Sequence, residues 1–271
     1  MSDCRPIGVF DAGLGGLTVV REIFRLMPHE RIVYLGDTAR SPYGSRSEET
    51  IKTFGLQCAN HFLKHDIKML VVACNTVSSV ALELIEKKIR DIPVIGVVLP
   101  GARAAVLRTA EYKIGVIGTP ATVSAQAYFR AINNIDPHIR VYGKACPLFV
   151  PLVEAGMFDH DISRLTAQHY LYEMIDLGVD CIILGCTHYP LLLEVIQGTV
   201  GTRIQLLDSA LWTAKEVQDI LTALNCTTSQ KDDGFESSRF LLTDITTDAA
   251  EQAELFLGRK LTSLEKVTID V

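Results

Sequence analysis

The chain has 271 residues, 48 % of them hydrophobic and 21 % charged, and a formal net charge of −6. This predicts a core-building protein of one large or two medium domains, and its acidic balance argues against a broad nucleic-acid surface, which would be basic. No run approaches the roughly 20 apolar residues needed to cross a bilayer, and polar Met1–Pro6 leads straight into a strand, so neither a membrane anchor nor a signal peptide is expected and the location reads as cytoplasmic.

Short apolar runs alternate with longer amphipathic segments, the pattern of βα units around a largely parallel sheet. In chain order, strands are predicted at Ile7–Phe10, Ile32–Leu35, Met69–Ala73, Val94–Val98, Ile114–Ile117, Arg140–Tyr142, Cys181–Leu184 and Ile204–Leu207. Helices are predicted between them, among them Ser47–His65, Val77–Arg90, Ser163–Leu177 and Leu211–Leu224. The polar stretch Thr227–Ser238 reads as a loop, followed by a strand at Phe240–Leu242 and a helix from Asp248 to Leu257.

Two parts of the chain echo one another. IGVFDAG at Ile7–Gly13 returns as IGVIGTP at Ile114–Pro120, and MLVVACNT at Met69–Thr76 returns as CIILGCTH at Cys181–His188, at offsets of 107 and 112 residues. One such pair between buried strands would mean little; two in the same order at nearly the same offset indicate a duplicated α/β unit. The expected architecture is two similar, pseudo-symmetric α/β domains with mainly parallel sheets and a site in the cleft between them. A Pro/Gly turn signal at Leu99–Pro100–Gly101 places the break, giving 1–98 plus 209–271 as one domain and 99–208 as the other.

The seven cysteines include no CxxC pair and no Cys/His cluster of zinc spacing, so reduced thiols and no metal are expected. Cys58, Cys146 and Cys181 lie in apolar or helical runs and read as small buried hydrophobes, whereas Cys4 and Cys226 read as incidental thiols. Cys74 and Cys186 differ. Each follows a strand and precedes a helix, at the end of an open sheet where ligands bind, and a helix N-terminus favours thiolate. Two equivalent thiols on a pocket closing on itself would present one base to each face of a bound molecule, which inversion of a stereocentre requires. A disulfide-exchange pair is the competing reading, though it more often takes the form CxxC.

With DAGLGGL at Asp11–Leu17, SPYG at Ser41–Gly44, ACNT at Ala73–Thr76, PLVEAG at Pro151–Gly156 and LGCTHYPLL at Leu184–Leu192, the chain resembles the glutamate racemases of the aspartate/glutamate racemase superfamily from Ile7 to about Val271. The resemblance implies direct 1,1-proton transfer with no cofactor, neither pyridoxal phosphate nor metal. It implies that Cys74 serves the proton of the D-enantiomer and Cys186 that of the L-enantiomer. Asp11 would assist Cys74 and His188 would assist Cys186, with Glu154 near His188. Tyr43, Gly44, Asn75, Thr76, Thr187 and His188 would hold the amino and carboxylate groups of glutamate. The product would be D-glutamate for peptidoglycan, and the assembly a homodimer.

Asp11 by itself could be a loop-capping aspartate and His188 a polar helix-start residue; the paired cysteines favour general acid–base partners. The run Gly13–Leu14–Gly15–Gly16 invites a dinucleotide reading, but GxGxxG would need glycine where the chain has Thr18. One departure concerns the substrate: the family usually carries serine after the catalytic aspartate, and this chain has Ala12. A missing hydrogen bond of that kind costs about 0.5–1.5 kcal/mol. Two alternatives stay open: a sister racemase or isomerase acting on aspartate or another small dicarboxylate, and a non-catalytic ligand-binding protein that keeps the fold.

Overall fold

The structure, a computed structural model, describes residues 3–261 and 263–269. Met1, Ser2, Thr262, Asp270 and Val271, which the expected domain limits and resemblance include, lie outside the described residues. The chain runs β1 (Ile7–Asp11), α1 (Leu17–Leu26), β2 (Ile32–Gly36), α2 (Glu48–Phe62), β3 (Met69–Val72), α3 (Asn75–Val80), α4 (Leu82–Lys88), β4 (Val94–Gly96) and α5 (Val98–Arg108). It continues through β5 (Lys113–Gly118), α6 (Pro120–Ser124), α7 (Ala127–Ile135), β6 (Arg140–Ala145), α8 (Phe149–Glu154), α9 (Asp161–Asp176) and β7 (Cys181–Gly185). After β7 come a 3-10 turn at Tyr189–Leu192, α10 (Leu193–Val200), β8 (Gln205–Asp208) and α11 (Ser209–Ala223). The tail adds β9 (Arg239–Leu242), α12 (Ala249–Leu257) and the short β10 (Glu265–Lys266).

These strands form two all-parallel sheets, ordered β10-β9-β2-β1-β3-β4 and β6-β5-β7-β8. Parallel strands covered on both faces need continuous apolar runs, and β1, β3 and β7 are buried throughout. The shared order of β2-β1-β3-β4 and β6-β5-β7-β8 is the duplication made visible. Even the register repeats: Ile7 pairs with Met69, and their counterparts Ile114 and Cys181 pair likewise. The tail strand β9 joins β2, returning the end of the chain to the first sheet.

Local chemistry sets the element boundaries. Ser47 caps α2 through its Oγ and the N–H of Thr50, followed by Glu48 and Glu49 where the helix dipole favours acid. Asp208 caps α11 by accepting from Ala210 at 2.8 Å. Three expectations are corrected. Val98 opens α5 instead of ending β4, and the turn expected at Leu99–Pro100–Gly101 is the first turn of that helix. Proline is at home there, because the N–H it lacks would have had no partner inside the helix. The helix expected at Val77–Arg90 divides at Ala81, where φ reaches −125°. The hydroxyl of Ser78 also ties α3 to the sheet, donating to Val72 O and accepting from Val97 N.

At the end of the first sheet away from the carboxyl ends of its strands, buried Lys68 pairs with Glu30 at 2.6 Å and donates to the carbonyls of Asp3 and Cys226. Removing either charge would strand the other, at a cost of about 3–5 kcal/mol. No described helix is long and apolar enough to cross a membrane. All seven cysteines are free thiols.

Candidate active site

β1 lies between β2 and β3, and β5 between β6 and β7, so the chain order reverses beside each central strand. Ligands of open α/β sheets bind beyond the carboxyl ends of the strands at such points. The first half delivers Asp11 at the end of β1 with Ala12 and Gly13 just beyond it, and Cys74, Asn75 and Thr76 after β3. The second delivers Thr119 after β5 and Cys186, Thr187 and His188 after β7. These ends face one cavity, which Tyr43 and Gly44 also line. Of the expected site residues only Glu154 stands outside its wall, behind His188 with Oε1 3.5 Å from Nε2. Free space within is about 40 Å³, room for roughly three waters at ~10–15 Å³ each.

Asp11 is 1 % exposed. Its Oδ2 accepts from Gly13 N at 3.0 Å, the expected loop cap, while Oδ1 has no hydrogen-bond partner among the described residues. Burial pushes this carboxyl above the usual range, opposed by the charge of His188 and by the N–H groups of Gly13, Gly16 and Ala12. Cys74 occupies the N-cap position of α3. The expectation that this placement favours thiolate is overturned: burial, and then the neighbouring Asp11 charge, push the Cys74 thiol up, and the N–H groups of Val77 and Ala12 do not offset them.

On the other side, His188 Nδ1 lies 4.0 Å from Cys186 Sγ and 3.5 Å from Thr187 Oγ1. Burial alone would make the imidazole less basic. Hydrogen bonding to Cys186 and Glu154, with the charges of Cys186 and Asp11, reverses this and raises His188 to about 10.

Next to Cys74 in the chain, Asn75 Oδ1 accepts from Tyr128 at 2.7 Å, leaving Nδ2 buried with no partner among the described residues. Buried polar groups without partners are uncommon and costly. Here they are one acceptor, Asp11 Oδ1, and one donor, Asn75 Nδ2, able to meet an ammonium and a carboxylate. Thr76 Oγ1 joins a hydroxyl cluster with Thr119 at 3.0 Å and Thr122 at 3.3 Å. Tyr43 lines the cavity, but its hydroxyl donates to buried Asp37 beside Cys58. Its proton is thereby committed to Asp37. The Gly44 carbonyl accepts from Ala121 N at 3.1 Å, fastening this loop to the second half.

The glycine run serves packing. A Cβ on Gly15 would come within 2.3 Å of Thr187 Oγ1 and 2.7 Å of His188 Nδ1, and one on Gly16 within 2.5 Å of Asp11 Cβ. Ser41, Pro42, Thr119 and Val150 also line the cavity and were not singled out from sequence. Thr119 had a signal: in the repeat it is the counterpart of Ala12. Among the described residues no three His, Cys, Asp or Glu side chains cluster at metal-binding spacing.

Comparison with known proteins agrees with this geometry. Residues 7–217 match the Asp/Glu/Hydantoin racemase family. The glutamate racemase of Geobacter metallireducens is 43 % identical over 266 residues, 98 % of this chain and 97 % of that one. Among solved structures, the glutamate racemase of Francisella tularensis in complex with D-glutamate superposes with a TM-score of 0.93 at 36 % identity, covering 99 % of both chains. That of Thermus thermophilus in complex with beta-chloro-D-alanine gives 0.88 at 39 % identity, again over 99 % of both chains. With this match over most of its length and these full-length relatives, the chain belongs to the Asp/Glu/Hydantoin racemase family.

Proposed function

We propose that this chain is a glutamate racemase that interconverts the L- and D-enantiomers by two-base 1,1-proton transfer. The observation that carries the reading is the placement of Cys74 and Cys186, repeat-related thiols from two matching half-sites, on one cavity. From D-glutamate, the Cys74 thiolate takes the α-proton while the Cys186 thiol gives its proton to the opposite face of Cα. From L-glutamate the roles exchange, and each turnover leaves the two sulfurs in swapped protonation states. Only thiolate is a useful base. The burial of Cys74 beside Asp11 therefore implies that a bound ammonium compensates the carboxylate during proton abstraction.

Asp11 assists at Cys74 and His188 at Cys186, with Glu154 steadying His188. The α-proton is much less acidic than a thiol, so the developing carbanion needs donors aimed at the carboxylate; Asn75 Nδ2, Thr76 and Thr187 would supply them. The functional division follows the two halves, 1–98 with 209–271 and 99–208. A homodimeric assembly, and a cytoplasmic supply of D-glutamate to peptidoglycan, rest on the family resemblance. Reaction in deuterated water is expected to place deuterium at Cα of both enantiomers; turnover without it would exclude proton exchange at that carbon. Circular dichroism on L-glutamate, D-glutamate and L-aspartate checks the substrate, and loss of optical activity with aspartate alone would overturn the assignment.

A further inference from the structure

The polar contacts of His188 hold it loosely. Nδ1 is 4.0 Å from Cys186 Sγ and 3.5 Å from Thr187 Oγ1, and Nε2 is 3.5 Å from Glu154 Oε1. Hydrogen bonds from nitrogen to oxygen are strongest near ~2.9 Å, so the two oxygen contacts at 3.5 Å are long, and the sulfur contact at 4.0 Å lies at the outer limit of a hydrogen bond. Packing adds the remaining restraint on the ring plane. The backbone of Gly15 approaches too closely to leave room for any side chain. Phe256, 4 % exposed on α12, meets the imidazole edge to face, with ring centroids 5.1 Å apart and planes at 73°. That is a favoured aromatic geometry. The helix that carries it is itself anchored: Ala249, Ala253 and Leu257 are buried, and Gly258 closes its end at φ +75°.

We propose that Phe256 is a positioning residue for His188, its ring setting the imidazole plane so that Nδ1 faces Cys186 and Nε2 faces Glu154. The proposal rests on the reading of His188 as the partner of Cys186. Turning the ring about its Cβ–Cγ bond would break the line Glu154–His188–Cys186 without disturbing either thiol, and misplacing a catalytic group by ~1 Å can cost about 10²-fold in rate. An aliphatic side chain would fill the space without holding the plane. The tail of the chain, returned to the first sheet by β9, thereby completes an acid–base pair that belongs to the second half.

The test compares Phe256→Leu, Phe256→Tyr, His188→Asn and the Phe256→Leu/His188→Asn double variant by kcat and KM for both enantiomers, with thermal midpoints alongside. Phe256→Leu is expected to lower kcat about 10-fold with KM within about 2-fold, and Phe256→Tyr to keep kcat within about 3-fold. In the His188→Asn background Phe256→Leu should cost less than about 2-fold more, because the group it positions is gone. Equal losses in both backgrounds would mark a merely structural residue and overturn the proposal. A harmful His188→Asn with a harmless Phe256→Leu overturns the positioning role alone; a harmless His188→Asn overturns the reading of His188 and the positioning role with it. Should Phe256→Leu melt below assay temperature, Phe256→Met is read by the same criteria.

Discussion

Cys74 and Cys186 follow equivalent strands of two sheets with the same strand order and register, yet their neighbours have opposite charge. Cys74 lies beside buried Asp11, and burial with that carboxylate pushes its thiol up. Cys186 lies beside His188, an imidazole pushed up by Cys186 and by half-exposed Glu154 behind it. Duplication thus set where the sulfurs stand, while the polar group beside each is peculiar to its half. The counterpart of Asp11 is Gly118, and the counterpart of His188 is Thr76. A symmetric scaffold carrying an asymmetric pair suits a reaction whose two enantiomers present the same groups in mirrored order.

The sharpest way to break this comparison is to remove each sulfur in turn. Cys74→Ala and Cys186→Ala should each lower racemisation by at least about 10³-fold, since neither thiol can replace the other on its own face. Near-normal activity in either, followed by circular dichroism, would contradict a two-base reaction. A smaller loss, about 10²-fold, is expected for Asp11→Asn and for His188→Asn. Enantiomers have equal free energy, so kcat/KM must fall equally in both directions; the asymmetry appears in isotope effects instead. With α-deuterated substrates, Asp11→Asn should enlarge the effect starting from D-glutamate, and His188→Asn the effect starting from L-glutamate. An identical change from both sides would erase the division of labour.

The same electrostatics predict a pH dependence of stability. A group whose pKa is raised on folding adds stability that is fully present below its unfolded value and is lost as pH rises through the folded value. For His188 that window runs from ~6.5 to about 10. The raised Cys74 thiol acts in the same direction above ~8.5. The thermal midpoint should therefore fall between pH 7 and 10, and His188→Asn should flatten that fall; an unchanged slope would mean that His188 titrates as it does in the unfolded chain. The smallest effect is reserved for Ala12→Ser. Restoring a hydroxyl beside Asp11 should be worth about 0.5–1.5 kcal/mol, a change of roughly 2- to 10-fold in KM. Unaltered glutamate kinetics would show that Ala12 is not a weak point of the site.

Much of this was legible in the residues. Apolar runs marked the strands, because parallel strands must be buried on both faces. The two repeats named β1, β3, β5 and β7, and polar residues directly after them named the cavity wall. Boundaries were read less well where one signal serves two structures: Leu99–Pro100–Gly101 marks a turn or a helix start equally, and packing chose the latter. Phe256 lay in no motif, since an aromatic on an amphipathic tail helix looks like any core residue.

By itself, then, the order of residues determined the two sheets and the matching positions of two thiols after equivalent strands, because both follow from local hydrophobic pattern and from repeats along one chain. Only the tertiary structure decided the rest. It turned the Tyr43 hydroxyl to Asp37, brought Phe256 against His188, left Asp11 Oδ1 and Asn75 Nδ2 without partners, and pushed Cys74 up where its helix position alone would have drawn it down. Each of these depends on burial and on groups far apart in sequence, and desolvation has no local signature in the chain.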